Sequence, residues 1–269
     1  HLPGYRSEPV VAKDADIERG VRLIKTAKRP VIIAGHGVII GGAYEELKEF
    51  VKLTNIPVTN TLLGLSSFAH DEREYLGMLG MHGTAAANYT VAGADLVIGI
   101  GIRFDDRITG DLNSFQQGTQ FIHFDIDPAE FHKNVPAHVP IGGDVKKNLA
   151  RFNARLKRDQ KKRVPLWEAW WEKIDAWRDS YQFKEIDTAD LRAKTSKLSR
   201  KPHSNSAAKA LANRRLTTPE VISLVSYITG GREIVTTGVG QHQMYVAQYY
   251  RFNRAGSLVT SGGSGTMGY

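Results

Sequence analysis

The feature of this sequence that most constrains its fold is an alternation of short apolar runs with amphipathic segments. Val31–Ala34 is apolar and ends at the turn Gly35–Gly37, after which Leu47, Phe50 and Val51 recur at helical spacing. Further strand-like runs follow at Ile56–Thr59, Asp95–Gly101, Gln120–Asp125 and Val139–Ile141. Strands that alternate with helices form parallel sheets, because each crossover returns the chain to the same edge. We therefore predict an α/β fold with a doubly wound, mostly parallel, six-stranded, Rossmann-like sheet.

The rest of the chain predicts a helix, a linker and the start of a second α/β domain. Four tryptophans cluster at helical spacing within Leu166–Trp177, and we interpret them as packing anchors rather than as a ligand cage. A polar, basic stretch follows at 184–215. Thr218–Glu220 then places a capping residue and a proline at a new helix start, and Ile234–Thr236 is typical of a strand. The predicted divisions are a central domain at 1–160, a helix and basic linker at 161–215, and the beginning of a second domain at 216–269.

Composition and charge narrow the classes of function. The chain contains no cysteine, so neither disulfides nor thiolate metal sites can form. Its longest apolar runs fall far short of the roughly 20 residues that span a bilayer, so no membrane partner is predicted. Residues 151–216 hold 18 Lys and Arg against 8 Asp and Glu, whereas the remaining residues are slightly acidic. We interpret this excess as a solvated linker, and we predict no nucleic-acid partner because no aromatic residues lie among the charges from Thr188 to Arg215.

Two glycine-containing turns are candidates for contact with a ligand. Gly35–Gly37 follows a strand and precedes a helix, where backbone N–H groups can approach a phosphate. The alternative is a purely structural turn, and the missing third glycine of the dinucleotide motif does not support a standard NAD site. Leu79–Thr84 is a loop that enters a helix of small residues, which lets a long ligand lie close to the backbone. The alternative there is a tight helix start in which His82 is simply hydrogen-bonded.

Charged residues at the carboxyl ends of later strands are candidates, because open α/β sheets bind ligands at that edge. Gly99–Arg107 carries two arginines, whose guanidinium groups suit phosphate or carboxylate, and the alternative is an internal salt-bridge cluster. Asp125 is placed to accept hydrogen bonds from ribose hydroxyls. A metal site that combines it with Asp127 and Glu130 is a weaker alternative, since the calcium-loop glycine and spacing are missing. Asp144 is either a ligand-binding residue or the N-cap of the next helix.

Together with glycine-rich segments near the end of the chain, these stretches resemble the large, catalytic subunits of acetolactate (acetohydroxyacid) synthase, which are thiamine diphosphate enzymes. The resemblance rests on Leu79–Thr84, Gly101–Arg107, Asp125–Glu130, Gly143–Val145, Gly238–Met244 and Ser261–Gly268. The run Arg-Phe-Asp-Asp-Arg at 103–107 is typical of the FAD-dependent synthases rather than of the decarboxylases or the flavin-free catabolic enzyme. Residues 151–216 match poorly, and Ser264 stands where the family usually has leucine.

The resemblance implies that the central domain binds FAD, which this family requires without using it for net redox chemistry. The implied FAD-binding residues lie in the turns that follow successive strands. They are Gly35, His36, Gly37, Thr61, Leu62, Gly80, Met81, His82, Gly83, Gly101, Ile102, Arg103, Asp105, Arg107, Asp125, Ile126, Asp144 and Val145.

The resemblance also implies that residues 216–269 begin the domain that binds thiamine diphosphate. The implied contacts are Val239, Gly240, Gln241, His242, Gly265 and Met267. No catalytic residue and no metal ligand is assigned to this chain, because the activating glutamate is expected in a preceding domain and the Mg²⁺ motif beyond Tyr269. The missing initiator methionine at His1 likewise predicts a start within a longer chain. We expect the chain to be inactive alone.

The implied activity is the thiamine diphosphate-dependent decarboxylation of pyruvate and its condensation with a second pyruvate or with 2-oxobutyrate, in valine, leucine and isoleucine biosynthesis. The implied assembly is a homodimer or tetramer with a regulatory small subunit. The implied location is the cytoplasm, or a plastid or mitochondrion in a eukaryote. Two alternatives stay open: an FAD-dependent pyruvate oxidase, whose flavin pyruvate would reduce, and a non-catalytic nucleotide-binding module.

Overall fold

Two parallel sheets with their helices form the part of the chain that the computed structural model describes, namely residues 11–112, 115, 118–158, 166–181 and 216–268. The strands are β1 (Pro30–Ala34), β2 (Val58–Asn60), β3 (Tyr75–Met78), β4 (Leu96–Ile100), β5 (Gln120–Asp125), β6 (Val139–Gly142), β7 (Val235–Thr237) and β8 (Leu258–Thr260). The helices are α1 (Asp14–Thr26), α2 (His36–Ile40), α3 (Tyr44–Thr54), α4 (Ala85–Gly93), α5 (Asp106–Thr109), α6 (Val145–Arg158), α7 (Glu168–Ser180), α8 (Thr218–Thr229) and α9 (Gln241–Tyr249). The predicted basic linker at 184–215 lies outside the described residues.

The larger sheet confirms the predicted doubly wound α/β fold. Its six strands are parallel and lie in the order β3-β2-β1-β4-β5-β6. Alternate residues of β1 enter different cores, with Ile32 on one side and Val31 and Ile33 on the other. Because both faces are covered, the strands are apolar throughout. From β1 the chain adds β2 and β3 on one side, and it then adds β4, β5 and β6 on the other side. The strand order therefore places a topological switch point between β1 and β4.

The sequence analysis did not identify the edge strand β3 or the first helix. Gly77 has a φ of 92° within β3, and the pairing of β3 with β2 shifts register between Val58 and Asn60. A glycine inside so short a strand weakens its sequence signal. Helix α1 buries Ile17 and Val21 on one side, and its Gly20 lies against Phe152 of α6. The other predicted elements differ from the observed ones by only a few residues.

Helix α7 closes the amino-terminal side of the large sheet through three tryptophans. The indole N–H groups of Trp167, Trp170 and Trp171 donate to the carbonyls of Ala27, Pro30 and Asn55 at 3.2, 3.1 and 3.0 Å. All three side chains are buried. Each ring therefore contributes apolar area together with a satisfied polar group. This confirms that the tryptophans are packing anchors.

The carboxyl-terminal unit, formed by α8, β7, α9 and β8, packs beside β2 and β3 of the central domain. Phe252 joins Leu65 and Met78 in one apolar cluster. The side-chain amide of Asn253 donates to Asp71 Oδ2 at 2.7 Å. None of the helices in the described ranges is long and apolar enough to cross a membrane.

Replacing Trp170 with phenylalanine tests the role of the indole hydrogen bonds. The change leaves the Pro30 carbonyl without its indole donor and opens a small void, so we expect a loss of about 2 kcal/mol in the free energy of unfolding. Trp177→Phe is the matched control, because the Trp177 ring packs edge-on against Trp170 and is only half-buried. Urea unfolding should show the larger loss for Trp170→Phe, and equal losses would contradict this account.

The junction between the two units also makes stability depend on pH. Burial, together with the charge of Arg251, lowers the pKa of His70 to about 4, although the charge of Asp71 opposes the shift. Histidine in an unfolded chain has a pKa of about 6.5, so the unfolded state binds more protons than the folded state between these two pH values. The stability contributed by neutral His70 is therefore complete above pH 6.5 and is lost as the pH falls toward 4.

We expect the free energy of unfolding to fall by about 1 kcal/mol through His70 between pH 7 and pH 5, a value reduced for solvent screening because the side chain is 33% exposed. His70→Gln should lose correspondingly less over the same interval. Urea unfolding of both proteins at the two pH values measures the difference. An identical pH dependence for wild type and His70→Gln would contradict the assignment.

Candidate functional site

The structure gathers the implied FAD-binding residues along the carboxyl edge of the large sheet. Each segment follows a strand directly: 35–37 after β1, 61–62 after β2, 80–83 after β3, 101–107 after β4, 125–126 at the end of β5 and 144–145 after β6. Parallel strands end at the same edge, which is where ligands bind sheets of this type. Segments that are far apart in sequence are therefore neighbours in the fold.

Three glycines form the floor of the crevice between β1 and β4. The Gly37 N–H donates to the Gly101 carbonyl at 3.1 Å, and a Cβ on Gly35 would lie 2.2 Å from that same oxygen. Gly101 has a φ of 60°, in the left-handed region that favours glycine. The Gly35 N–H donates to Ile100. Two of the amides expected near a phosphate are thus engaged within the protein, so close backbone packing accounts for these glycines.

The turn after β2 is held against the end of β1 in a similar way. The Thr61 N–H donates to the Ala34 carbonyl at 3.1 Å, and Thr61 Oγ1 accepts the Gly64 N–H at 3.0 Å. A Cβ on Gly64 would lie 2.1 Å from the same Ala34 oxygen. The side chain of His36 reaches the Leu63 carbonyl at 2.9 Å. Gly64 was not predicted, because nothing in the local sequence marks a glycine that contacts a distant strand.

Phe104 orients the run Arg-Phe-Asp-Asp-Arg. Its ring is buried and lies edge-on to His123, and its backbone has a φ of 51°. The flanking side chains of Arg103 and Asp105 are 64% and 41% exposed and form an ion pair at 3.3 Å. Arg107 is also exposed. These charged side chains thus form exposed ion pairs, as the salt-bridge alternative predicted, but such pairs contribute little to stability. Both guanidinium groups stay accessible to a ligand.

Asp125 presents a largely buried carboxylate at the end of β5. Its Oδ1 accepts the Asp127 N–H at 2.9 Å, and its Oδ2 lies 3.8 Å from His123 Nε2. His123 Nε2 is 2.7 Å from the Ile102 carbonyl, to which it donates. Burial raises the pKa of the Asp125 carboxyl and lowers the pKa of His123. The carboxylate keeps lone pairs free for hydroxyl donors.

Among the described residues, no three His, Asp or Glu side chains lie close enough together to hold a metal ion. Asp125, Asp127 and Glu130 therefore do not form the metal site that was considered as an alternative. Asp144 accepts the Lys147 N–H at 2.8 Å and therefore acts as the N-cap of α6. Ile126 is exposed, whereas Ile102 is buried. Val145 is also buried, so neither Ile102 nor Val145 presents its side chain to a ligand.

The 80–83 loop is held at its base by Asn88, which sequence reasoning missed. Asn88 Oδ1 accepts the Gly80 N–H at 3.1 Å, and its amide donates to the Gly80 carbonyl at 3.0 Å. Thr84 Oγ1 accepts the Ala87 N–H and caps α4. Met81 is 73% exposed. The position of Asn88, one turn after the cap, is the signal that could have identified it.

The implied thiamine diphosphate segments lie at one edge of the small sheet. Val239 and Gly240 follow β7, Gln241 and His242 begin α9, and Gly265 and Met267 follow β8. Because β7 and β8 are parallel neighbours, both segments leave from the same side.

Gln243 connects the two segments implied to bind thiamine diphosphate and was not predicted as a site residue. Its amide donates to Thr260 Oγ1 at 2.7 Å and to the Ser261 carbonyl at 3.2 Å. Ser261 Oγ in turn accepts the Thr266 N–H at 2.8 Å. Gln243 therefore fixes the start of α9 to the end of β8.

Two family models match the chain in the order of its two units. The thiamine pyrophosphate enzyme central domain matches residues 17–152, and the C-terminal thiamine pyrophosphate-binding domain matches residues 238–269. Thiamine pyrophosphate is another name for thiamine diphosphate. The first match covers just over half of the chain and contains the whole large sheet.

Individual proteins that are similar to this chain are named acetolactate synthase. Acetolactate synthase 1, chloroplastic, of Zea mays is 39% identical over the whole chain. The acetolactate synthase large subunits of Buchnera aphidicola and Haemophilus influenzae are 38% and 36% identical over 94% of the chain. The chain spans 38% of the length of the Zea mays protein and 40% of the other two. On the match of its central domain, the chain belongs to the thiamine pyrophosphate enzyme family.

Proposed function

We propose that this chain is part of an acetolactate synthase catalytic subunit. The proposed units are a central FAD-binding domain at 1–160, a helix and linker at 161–215, and the beginning of the thiamine diphosphate-binding domain at 216–269. The observation that carries the proposal is the carboxyl edge of the large sheet, where Arg103 and Arg107 follow β4 and Asp125 ends β5, on the same edge as the closely packed glycines. Identity of 36–39% to proteins named acetolactate synthase supports it. The pyruvate oxidase and the non-catalytic module have no support among these relatives.

The groups at this edge fit the chemistry of FAD. The exposed guanidinium groups of Arg103 and Arg107 can hold a diphosphate through paired N–H donors. Asp125 offers a carboxylate that can accept from ribose hydroxyls. The glycines between β1 and β4 let a long ligand lie against the backbone. In the proposed enzyme FAD is required without net redox chemistry.

The second unit is proposed to hold one side of thiamine diphosphate. That group, when bound, supplies the electron sink for decarboxylation of a 2-oxo acid. Val239–His242 lie where a parallel strand leads into the amino end of α9, whose free N–H groups favour an anion. Gln243 keeps this helix start beside Ser261, and so places Gly265 and Met267 at the same edge. Mg²⁺ would complete the site, and no described residue is assigned to it.

The proposed reaction joins a decarboxylated pyruvate to a second pyruvate or to 2-oxobutyrate, in branched-chain amino acid biosynthesis. We propose a homodimer or tetramer with a regulatory small subunit, in keeping with the name "large subunit" of two relatives. The proposed location is the cytoplasm or, in a eukaryote, a plastid or mitochondrion. The Zea mays relative is named as chloroplastic.

FAD binding by the purified chain tests the central-domain assignment. Incubation with FAD followed by gel filtration should leave a flavin absorbance band with the protein, and Arg103→Ala should weaken the affinity at least tenfold because a charge-assisted pair is lost. Arg73→Ala is the matched control. Its side chain is 61% exposed and pairs with Asp175 at 3.3 Å, the same separation as in the Arg103 pair, but it lies outside the site. Equal affinities for the two variants would remove Arg103 from the FAD site.

The activity is tested in the complete gene product, supplied with thiamine diphosphate, Mg²⁺ and FAD. We expect acetolactate to form from pyruvate while the flavin absorbance stays at its oxidised level. Bleaching of the flavin by pyruvate without acetolactate formation would instead establish an oxidase. Loss of acetolactate formation when FAD is removed, and recovery when it is restored, would support a required flavin without net redox change.

A further inference from the structure

A single side chain joins the helix of the thiamine diphosphate segment to the 80–83 loop of the central domain. Helix α9 begins at Gln241, and Gln248 lies two turns further along the same helix. Its side-chain amide donates to the carbonyl of His82 at 2.9 Å. The bond crosses between the two units and ends in a segment proposed to bind FAD.

The tip of the 80–83 loop depends on that bond because its other restraints lie at its ends. Asn88 binds both backbone groups of Gly80, and the Gly83 N–H also returns to the Gly80 carbonyl. The side chains of Met81 and His82 are exposed. Of the residues that the structure describes, Gln248 is the one that donates to the His82 carbonyl.

A second contact connects the same two units at the neighbouring flavin segment. Gly262, just after β8, lies against the turn that follows β2. A Cβ on Gly262 would be 2.8 Å from Leu63 Cδ2 and 3.2 Å from Leu62 Cδ2. The end of β8 and the end of α9 therefore each contact one proposed FAD-binding segment. Direct contacts therefore connect the carboxyl-terminal unit with two of the proposed FAD-binding segments.

We propose that Gln248 is a positioning residue that couples the two cofactor sites. It holds the 80–83 loop in the conformation that binds FAD, so FAD binding and the seating of α9 against the central domain stabilise each other. Such coupling is reciprocal, because each event changes the equilibrium of the other by the same factor. The inference rests on the proposed function, since it takes FAD as the ligand of the loop.

The test uses FAD titrations of the wild-type chain, Gln248→Met and Gln120→Met, followed by flavin fluorescence. Gln248→Met keeps the length of the side chain but removes the donor. Gln120→Met makes the same change at an exposed residue at the amino end of β5, on the opposite side of the sheet. We expect Gln248→Met to bind FAD about five- to tenfold more weakly and Gln120→Met to match wild type.

Hydrogen exchange separates coupling from a simple structural role. Saturating FAD should slow exchange of the α9 amides in wild type and in Gln120→Met. Gln248→Met should lose this remote protection even when FAD saturates it, while its melting temperature without ligand stays at the wild-type value. If Gln248→Met fails to fold, Gln248→Glu provides the same test, because an ionised carboxylate of equal length has no donor.

The outcomes distinguish the inference from the proposed function. A wild-type chain that binds no FAD overturns both. A wild-type chain that binds FAD, with equal affinity and equal protection of α9 in the Gln248 variant, overturns the coupling alone. Weaker binding together with loss of the remote protection supports the assignment of Gln248.

Discussion

The contact between the backbones of Gly37 and Gly101 is the constraint on which the rest of this structure depends. A hydrogen bond of 3.1 Å joins the two residues, and a Cβ on either would lie within 2.6 Å of the other's backbone. Because neither glycine has a side chain, the turns after β1 and β4 can approach closely enough to meet at the switch point. Gly64 brings the turn after β2 to the same place. The crevice that results is lined by backbone and is bordered by the arginines after β4.

The two edges of the large sheet have different roles. At the amino edge, α7 seals the strands with three buried tryptophans whose N–H groups are all satisfied. At the carboxyl edge, the buried ring of Phe104 keeps Arg103 and Asp105 at the surface. The amino edge is therefore closed, and the charged side chains lie at the carboxyl edge, where open α/β sheets bind their ligands.

The junction between the two units lies on the same side as the proposed cofactor segments. Phe252 and its neighbours supply apolar area, while Gln248 and Gly262 reach the loops after β3 and β2. His70 is partly buried at this junction, and that burial lowers the pKa of its imidazole. The packing of one unit on the other thus acts directly on residues proposed to bind FAD.

The sequence by itself determined the fold class, five of the six strands of the large sheet and most segments of the candidate site. Apolar runs that alternate with amphipathic helices have few other solutions, and parallel strands must end at a common edge. The same reasoning predicted Arg103 and Asp125 as candidate ligand contacts, because charged residues directly after buried strands are recognisable from the local sequence. Family motifs indicated the order of the two units, and the family matches agree with it.

Only the tertiary structure decided features that depend on residues distant in sequence. The strand β3 is short, contains Gly77 and becomes a strand by pairing with β2. Gly64 is required by a carbonyl of β1, and Gln248 acts on a loop more than 160 residues away. The amides of Gly35 and Gly37, expected to face a phosphate, are instead bound to β4 and to the residue after it. These outcomes follow from close packing and hydrogen bonding between segments, which local composition and spacing do not encode.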